Sequence, residues 1–310
     1  MPTNRTTCRR CDDLVQLENI CRSCSTCVMC CTCYLCVGHS IRHNRQDFPR
    51  CLYCNSCIRL CRCNILPFNA NPLVYLEFKG KAEDGLYLGV ELEVEVGDRI
   101  SRLRKGPSIR DIDREFMVLK SDGTLSNGFE VVTAPASLDV HKEMWPKILS
   151  TGTKRNVTSW KTETCGFHVH VSRKPITPLT LGKILVFVNS HKTRQEIVDL
   201  AGRENHFHPS RNKCYAVMQE KKVTEVPPDR YQAVNTTNAN TIEFRIFKGT
   251  LDVKHVLANI EFVDAVVRWC MNTSIREVES WKSFWSYVTR YKKRYAELIT
   301  YKTEKKHKDK

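Results

Sequence analysis

No run of apolar residues in the 310-residue chain approaches the ~20 needed to cross a bilayer. The richest short stretch, Ile184 to Val188, is only the size of a core segment. The opening residues Met1, Pro2, Thr3, Asn4 and Arg5 carry no apolar run of the secretory-leader kind, so the expectation is an intracellular, cytoplasmic protein with no membrane partner. The GxxxxGK[ST] loop is missing, and the lone Gly123/Gly128 pair makes no dinucleotide fingerprint, so neither of those phosphate-cradling loops is present. Lysine is missing from residues 1–63, where nine arginines stand, and beyond residue 63 cysteine is reduced to Cys165, Cys214 and Cys270.

The composition that remains is that of a globular protein, with 41% hydrophobic and 27% charged residues. The formal charge of +15 allows a polyanionic partner, but it is unevenly placed. Residues 290–310 hold nine Lys/Arg against three acids. A solvated basic tail over 301–310 is the expectation, ahead of a nucleic-acid-binding one.

Fourteen of the 17 cysteines fall in the first 63 residues: Cys8, Cys11, Cys21, Cys24, Cys27, Cys30, Cys31, Cys33, Cys36, Cys51, Cys54, Cys57, Cys61 and Cys63. Five CxxC pairs recur (Cys8/Cys11, Cys21/Cys24, Cys27/Cys30, Cys33/Cys36 and Cys51/Cys54), and two intervening residues let a tight knuckle aim both sulfurs at one metal. His39 and His43 follow closely and complete a mixed set. The expected content is about two or three Zn2+, with the pairing left open by the spacing. A secreted disulfide framework is as cysteine-dense but goes with a leader, and iron–sulfur ligation suits paired knuckles less well than zinc does. Such a module, over residues 1–63, is structural by default and offers a surface for a protein or nucleic-acid partner.

Residues 64–73, with Pro67, Pro72 and three asparagines, read as a linker. Residues 74–300 have the texture of an α+β domain. Strands are predicted at Leu86 to Val96, Phe116 to Leu119, Phe129 to Thr133, Phe167 to Ser172, Tyr231 to Asn235 and Thr241 to Phe247. Helices are predicted at Ser137 to Leu149, Leu179 to Ala201, Val253 to Met271 and Ile275 to Leu298. The polar stretch Arg99 to Arg114 reads as a mobile loop.

Four short segments carry the chemistry. In Gly89 to Glu95, strand alternation places Glu91, Glu93 and Glu95 on one face, where they repel unless a cation or water neutralises them. In Asp122 to Pro135, Asp122 sits at a turn and Glu130 stands on an otherwise apolar strand. In Thr164 to Ser172, His168 and His170 alternate with Phe167, Val169 and Val171. In Asn240 to Phe247, Glu243 and Arg245 oppose Ile242, Phe244 and Ile246. Singly, these are a solvated acidic face, a satisfied histidine and a surface ion pair. Together they describe a sheet with one hydrophobic face and another that gathers Glu, His and Arg.

GVELE, SDGTLSNGFEVVTAP, TCGFHVHVS and NTIEFRIFKGTL, in this order, resemble the amidoligase family, over about residues 84–290. That family is related to glutamine synthetase and γ-glutamylcysteine synthetase, the carboxylate–amine ligases. The resemblance implies an α+β fold with a curved antiparallel sheet lining a funnel and helices packed outside. It also implies ATP and two or three Mg2+ as cofactors, with a small-molecule or peptide carboxylate and an amine as substrates. Glu91, Glu93, Glu130, His168 and Glu243 match the family's metal- and nucleotide-binding positions, and Arg245 matches the arginine beside the transferring phosphoryl group. Arg245, His168 and Glu130 are then the catalytic set, with Glu95, Asp122 and His170 as further candidates, and the loop Gly97 to Arg114 as a lid. Two other classes stay open: a metal-dependent hydrolase built on His168, His170 and a glutamate, and a non-catalytic protein whose zinc module recruits nucleic acid or protein.

Overall fold

The computed structural model describes residues 5–7, 14–16, 65–66, 68–74, 76–96, 113, 115–150, 157–202, 207–208, 213–214, 216–222, 224 and 230–308. The fourteen cysteines and two histidines of the expected zinc module lie outside the described residues, as does the Gly97–Arg114 loop apart from Asp113. The chain divides into two compact units, Met1–Pro67 and Phe68–Lys310. In the first, strands β1 (Arg5–Thr7) and β2 (Leu14–Gln16) form an antiparallel pair.

The second unit is α+β. Its centre is an open, seven-stranded antiparallel sheet with the order β10-β11-β7-β3-β5-β4, and β6 pairing with the far end of β3. These strands are β3 (Leu88–Val96), β4 (Met117–Lys120), β5 (Phe129–Thr133), β6 (Val157–Thr158), β7 (Gly166–Ser172), β10 (Val234–Asn235) and β11 (Thr241–Lys248). A separate two-stranded pair is formed by β8 (Phe207–His208) and β9 (Lys213–Cys214). Among the described residues six α-helices accompany them: α1 (Leu138–Ile148), α2 (Pro178–Asn189), α3 (His191–Ala201), α4 (Val253–Asn272), α5 (Trp281–Arg290) and α6 (Ala296–Lys308). Among the described residues no helix is long and apolar enough to cross a membrane.

The sheet follows from alternation. Leu88, Val90, Leu92 and Val94 are buried on one face with Phe129, Val131, Phe167, Val169, Ile242 and Phe244. Helices cover that face: Trp145 of α1 meets Phe167, and Phe262 of α4 meets Phe247. Burying large aromatic rings in this layer supplies its main stabilisation, on the order of 2–3 kcal/mol each. The opposite face carries the charged residues.

Four details depart from the expected elements. The single helix Leu179–Ala201 is two helices, because Ser190 takes an extended conformation (φ −67°, ψ 137°) and caps the second with its hydroxyl. Ile275–Leu298 likewise breaks into α5 and α6, around a turn whose Arg294 and Tyr295 are drawn onto Asp264 of α4. Residues 301–308, expected as part of a basic tail, continue α6 to Lys308. There Lys302 pairs with Glu196 and lies over the rings of Trp281 and Trp285. The expected strand Tyr231–Asn235 contracts to β10.

Candidate functional site

Register brings the charged residues into one band. Across β3 and β5, Glu93 stands directly opposite Glu130; across β3 and β7, Glu91 stands opposite His168 and Gly89 opposite His170. His170 in turn faces Glu243 on β11, and Lys120 on β4 faces Glu130. The register between β11 and β7 shifts between Phe244 and Phe247. This bulge leaves Arg245 beside Glu243 while returning Phe247 to the apolar side, packed on Phe167. The turn leading into β5 closes tightly on β3, and Gly128 is required there, since a Cβ would strike the Val94 carbonyl oxygen.

The result is a cleft of about 240 Å³ lined by Glu91, Glu93, Asp122, Thr124, Glu130, His168, His170, Glu243 and Arg245, with Phe68, Lys120 and Arg230. All six first-rank sequence candidates line it, as do Asp122 and His170. Glu95 does not: its carboxylate accepts the backbone N–H groups of Ser126 (2.7 Å) and Asn127 (2.9 Å) and so holds the turn. The sequence reading missed Lys120, Arg230 and Phe68. A lysine ending an apolar strand looks like a surface residue, and only the β4–β5 register reveals that Lys120 faces Glu130.

The acids are desolvated and crowded. Glu93, Glu130, His168, Glu243 and Arg245 are buried. Glu93 Oε2 accepts from the backbone N–H of Gly166 at 2.6 Å, and the Lys120 ammonium lies 2.6 Å from Glu130 Oε1. Burial, together with the neighbouring Glu91 and Glu93 charges, pushes the Glu130 carboxyl well above the usual carboxylate range, although Lys120 opposes this. Glu91 moves the other way. Burial disfavours its charge, but the charge of His170 and the close approach of the His168 and His170 rings outweigh burial and hold the carboxyl well below its ordinary value. His170 is raised for the reciprocal reason: the loss of solvent is overcome by Glu91, its ring Nε2 lying 3.4 Å from Glu91 Oε1.

His168 Nδ1 sits between two carboxylates, 3.5 Å from Glu91 Oε2 and 3.4 Å from Glu243 Oε1. Glu243 also accepts from Asn235 Nδ2 at 2.7 Å and from the Arg245 guanidinium. Burial opposes the charge of Glu243, yet Arg245 and the two histidines lower its pKa.

Two groups of ligand atoms are close enough to share a cation. Glu93, Asp122 and Glu130 form one and Glu91, His170 and Glu243 the other, with the atoms of each group within 4.8 Å of one another. The first offers only carboxylate oxygen, which suits a hard ion such as magnesium. The second adds an imidazole nitrogen and is less selective. Two facing carboxylates at Glu93 and Glu130, in a band of five acids, are a donor set that a divalent ion fits.

These features define an α+β protein with an acid-lined cleft on the open face of an antiparallel sheet. No protein-family model matches the chain, and no curated protein matches it.

Proposed function

We propose that the second unit is an ATP- and magnesium-dependent carboxylate–amine ligase of the amidoligase type, forming an amide or isopeptide bond through an acyl phosphate. The observation that carries this reading is the pair of cation-sized acid groups side by side on one sheet face with a buried arginine next to them. In this reading Glu93, Asp122 and Glu130 hold one magnesium ion, and Glu91, His170 and Glu243, with His168 beside them, hold a second. When bound, magnesium-ATP supplies the phosphoryl group that lets phosphate, rather than oxide, leave the substrate carboxylate. Arg245, kept in place by Glu243, directs its guanidinium charge toward the oxygens of the transferring group. The sheet floor excludes water from behind the site, because its reverse face is apolar and covered by α1 and α4. The cysteine pairs of residues 1–63 add, in this reading, a structural zinc module able to dock a protein or nucleic acid.

The test is ADP release with ATP and magnesium over a panel of amino acids, peptides and polyamines. Amine-dependent turnover is expected, and Glu93→Gln should reduce it on the order of 10²–10³-fold. Glu91→Gln or Arg245→Ala turning over like the wild type would sink the reading.

One observation favours a second class. The mixed nitrogen and oxygen donors of Glu91, His168, His170 and Glu243 also suit zinc, and with it a metal-dependent hydrolase. Zinc bound stoichiometrically by these residues in a protein that fails to bind ATP would decide for the hydrolase.

A further inference from the structure

Among the described residues that line the cleft, Phe68 is the one apolar side chain; the others are carboxylates, histidines, cations and a threonine. It is 58% exposed, so the fold does not use it as core. A bare aromatic ring in an ionic cleft costs solvation and adds nothing to metal binding. Its ring centroid lies 5.8 Å from the Lys120 ammonium, which itself sits 2.6 Å from Glu130 Oε1. The ring is therefore no farther from Glu130 Oε1, one of the cation-binding carboxylate oxygens, than those two distances laid end to end. Arg230, also exposed, adds positive charge to the same lining. A ligand that fits has a planar π-face joined by a short spacer to a polyanion able to meet divalent cations and guanidinium groups.

We propose that Phe68 is the stacking platform for the base of a nucleoside polyphosphate, whose phosphates meet the Glu93/Asp122/Glu130 cation position. In such a ligand one sugar separates base from phosphate, which matches the short reach from ring to carboxylates. Every base has a π-face, so stacking on Phe68 gives affinity with little choice between purines. The proposal rests on the magnesium–nucleotide reading above and assigns a residue outside the four motifs.

The experiment is calorimetric titration of the full-length protein in magnesium with three probes: ATP, inorganic tripolyphosphate and free phenylalanine. Wild type, Phe68→Ala and Phe68→Trp are compared. Phe68→Ala should weaken ATP roughly tenfold or more, leave tripolyphosphate unchanged, and be rescued by Phe68→Trp. Equal weakening of ATP and tripolyphosphate would mean that Phe68 only shapes the cleft, and no change in either would remove it from binding; both outcomes overturn the proposal. Weakening of phenylalanine with ATP spared would overturn it in favour of an aromatic carboxylate substrate. Should wild type bind neither polyphosphate, the magnesium–nucleotide reading itself fails; should it bind both and ignore Phe68, that reading stands and only the stacking falls.

Discussion

Two buried charge clusters in the second unit are built in opposite ways. On α4, Asp264 is almost fully buried and completely served: Arg268 Nε donates to it at 3.1 and 3.2 Å, Arg294 Nε and Nη2 at 2.8 and 3.1 Å, and the Tyr295 hydroxyl at 3.0 Å. One acid is thus met by two guanidinium groups and a phenol. In the cleft the ratio reverses, with five carboxylates (Glu91, Glu93, Asp122, Glu130 and Glu243) facing three permanent cations, Lys120, Arg230 and Arg245. The first cluster ties the α5–α6 turn to α4, and its extra positive charge lies 3.6–4.0 Å from the exposed carboxylates of Glu83 and Asp84. The second keeps a surplus of negative charge at a desolvated place, a condition that folding alone does not favour. Surplus, more than burial, distinguishes a place made for a ligand from a place made for the fold.

The largest effect should come from breaking the satisfied cluster. Asp264→Ala leaves Arg268 and Arg294 without their buried acid, and stability should fall by about 3–4 kcal/mol in urea unfolding, with or without added magnesium. A loss under about 1 kcal/mol would mean the cluster behaves like a surface ion pair, and the contrast with the cleft would collapse.

A third buried polar group sharpens the comparison from the neutral side. His141 of α1 is fully buried; its Nε2 lies 2.8 Å from the Leu88 carbonyl oxygen, and its Nδ1 accepts from the Trp145 indole at 3.2 Å. Burial depresses its pKa from 6.5 to about 4, despite the Leu88 carbonyl. Between those values the unfolded chain binds a proton that the folded chain refuses, so stability falls as pH drops from 6.5 toward about 4. The loss attributable to this residue is about 3 kcal/mol once both states are protonated. Comparing the pH dependence of urea midpoints for wild type and His141→Gln checks it, since the variant should lack this part of the slope.

How much of this was legible in the sequence depends on how local each feature is. The alternation of β3, β7 and β11 shows directly in GVELEVE, FHVHV and IEFRI, so the acidic and histidine faces could be read with their residues. Pairing decided the rest. That Glu93 meets Glu130, or that Lys120 joins them, depends on register between strands far apart in sequence, which no single segment records. The bulge after Phe244 has no glycine or proline to announce it. Ser190 breaks a continuous helical pattern because its hydroxyl caps the next helix and reaches Glu279 at 2.7 Å, and that partner is distant in the chain. Phe68 was hidden by composition, lying in a Pro/Asn-rich stretch that reads as linker. The Asp264 cluster was missed for a related reason: arginines in a basic stretch look solvated until an acid thirty residues away claims one.

The smallest effect should also be the most diagnostic, because its sign is reversed. Glu130 is buried opposite Glu93, and its carboxyl is raised by burial and by the charges of Glu91 and Glu93. Ionising that carboxyl in the fold is therefore unfavourable, so Glu130→Gln should stabilise the magnesium-free protein. The amide keeps the shape and removes the repulsion, while the Lys120 ammonium, still partly solvated, loses one partner. The two changes offset each other in part, which leaves a gain of about 1 kcal/mol. Magnesium should raise the thermal midpoint of the wild type, since an ion that binds only the folded state stabilises it by mass action. It should raise that of Glu130→Gln less, through the remaining Glu91/His170/Glu243 group alone. A removed acid that strengthens the empty fold and weakens its response to magnesium is the opposite of what Asp264→Ala should do. If Glu130→Gln instead destabilises the protein and leaves the magnesium response intact, the cleft is a second structural cluster and its acids are partnered for the fold.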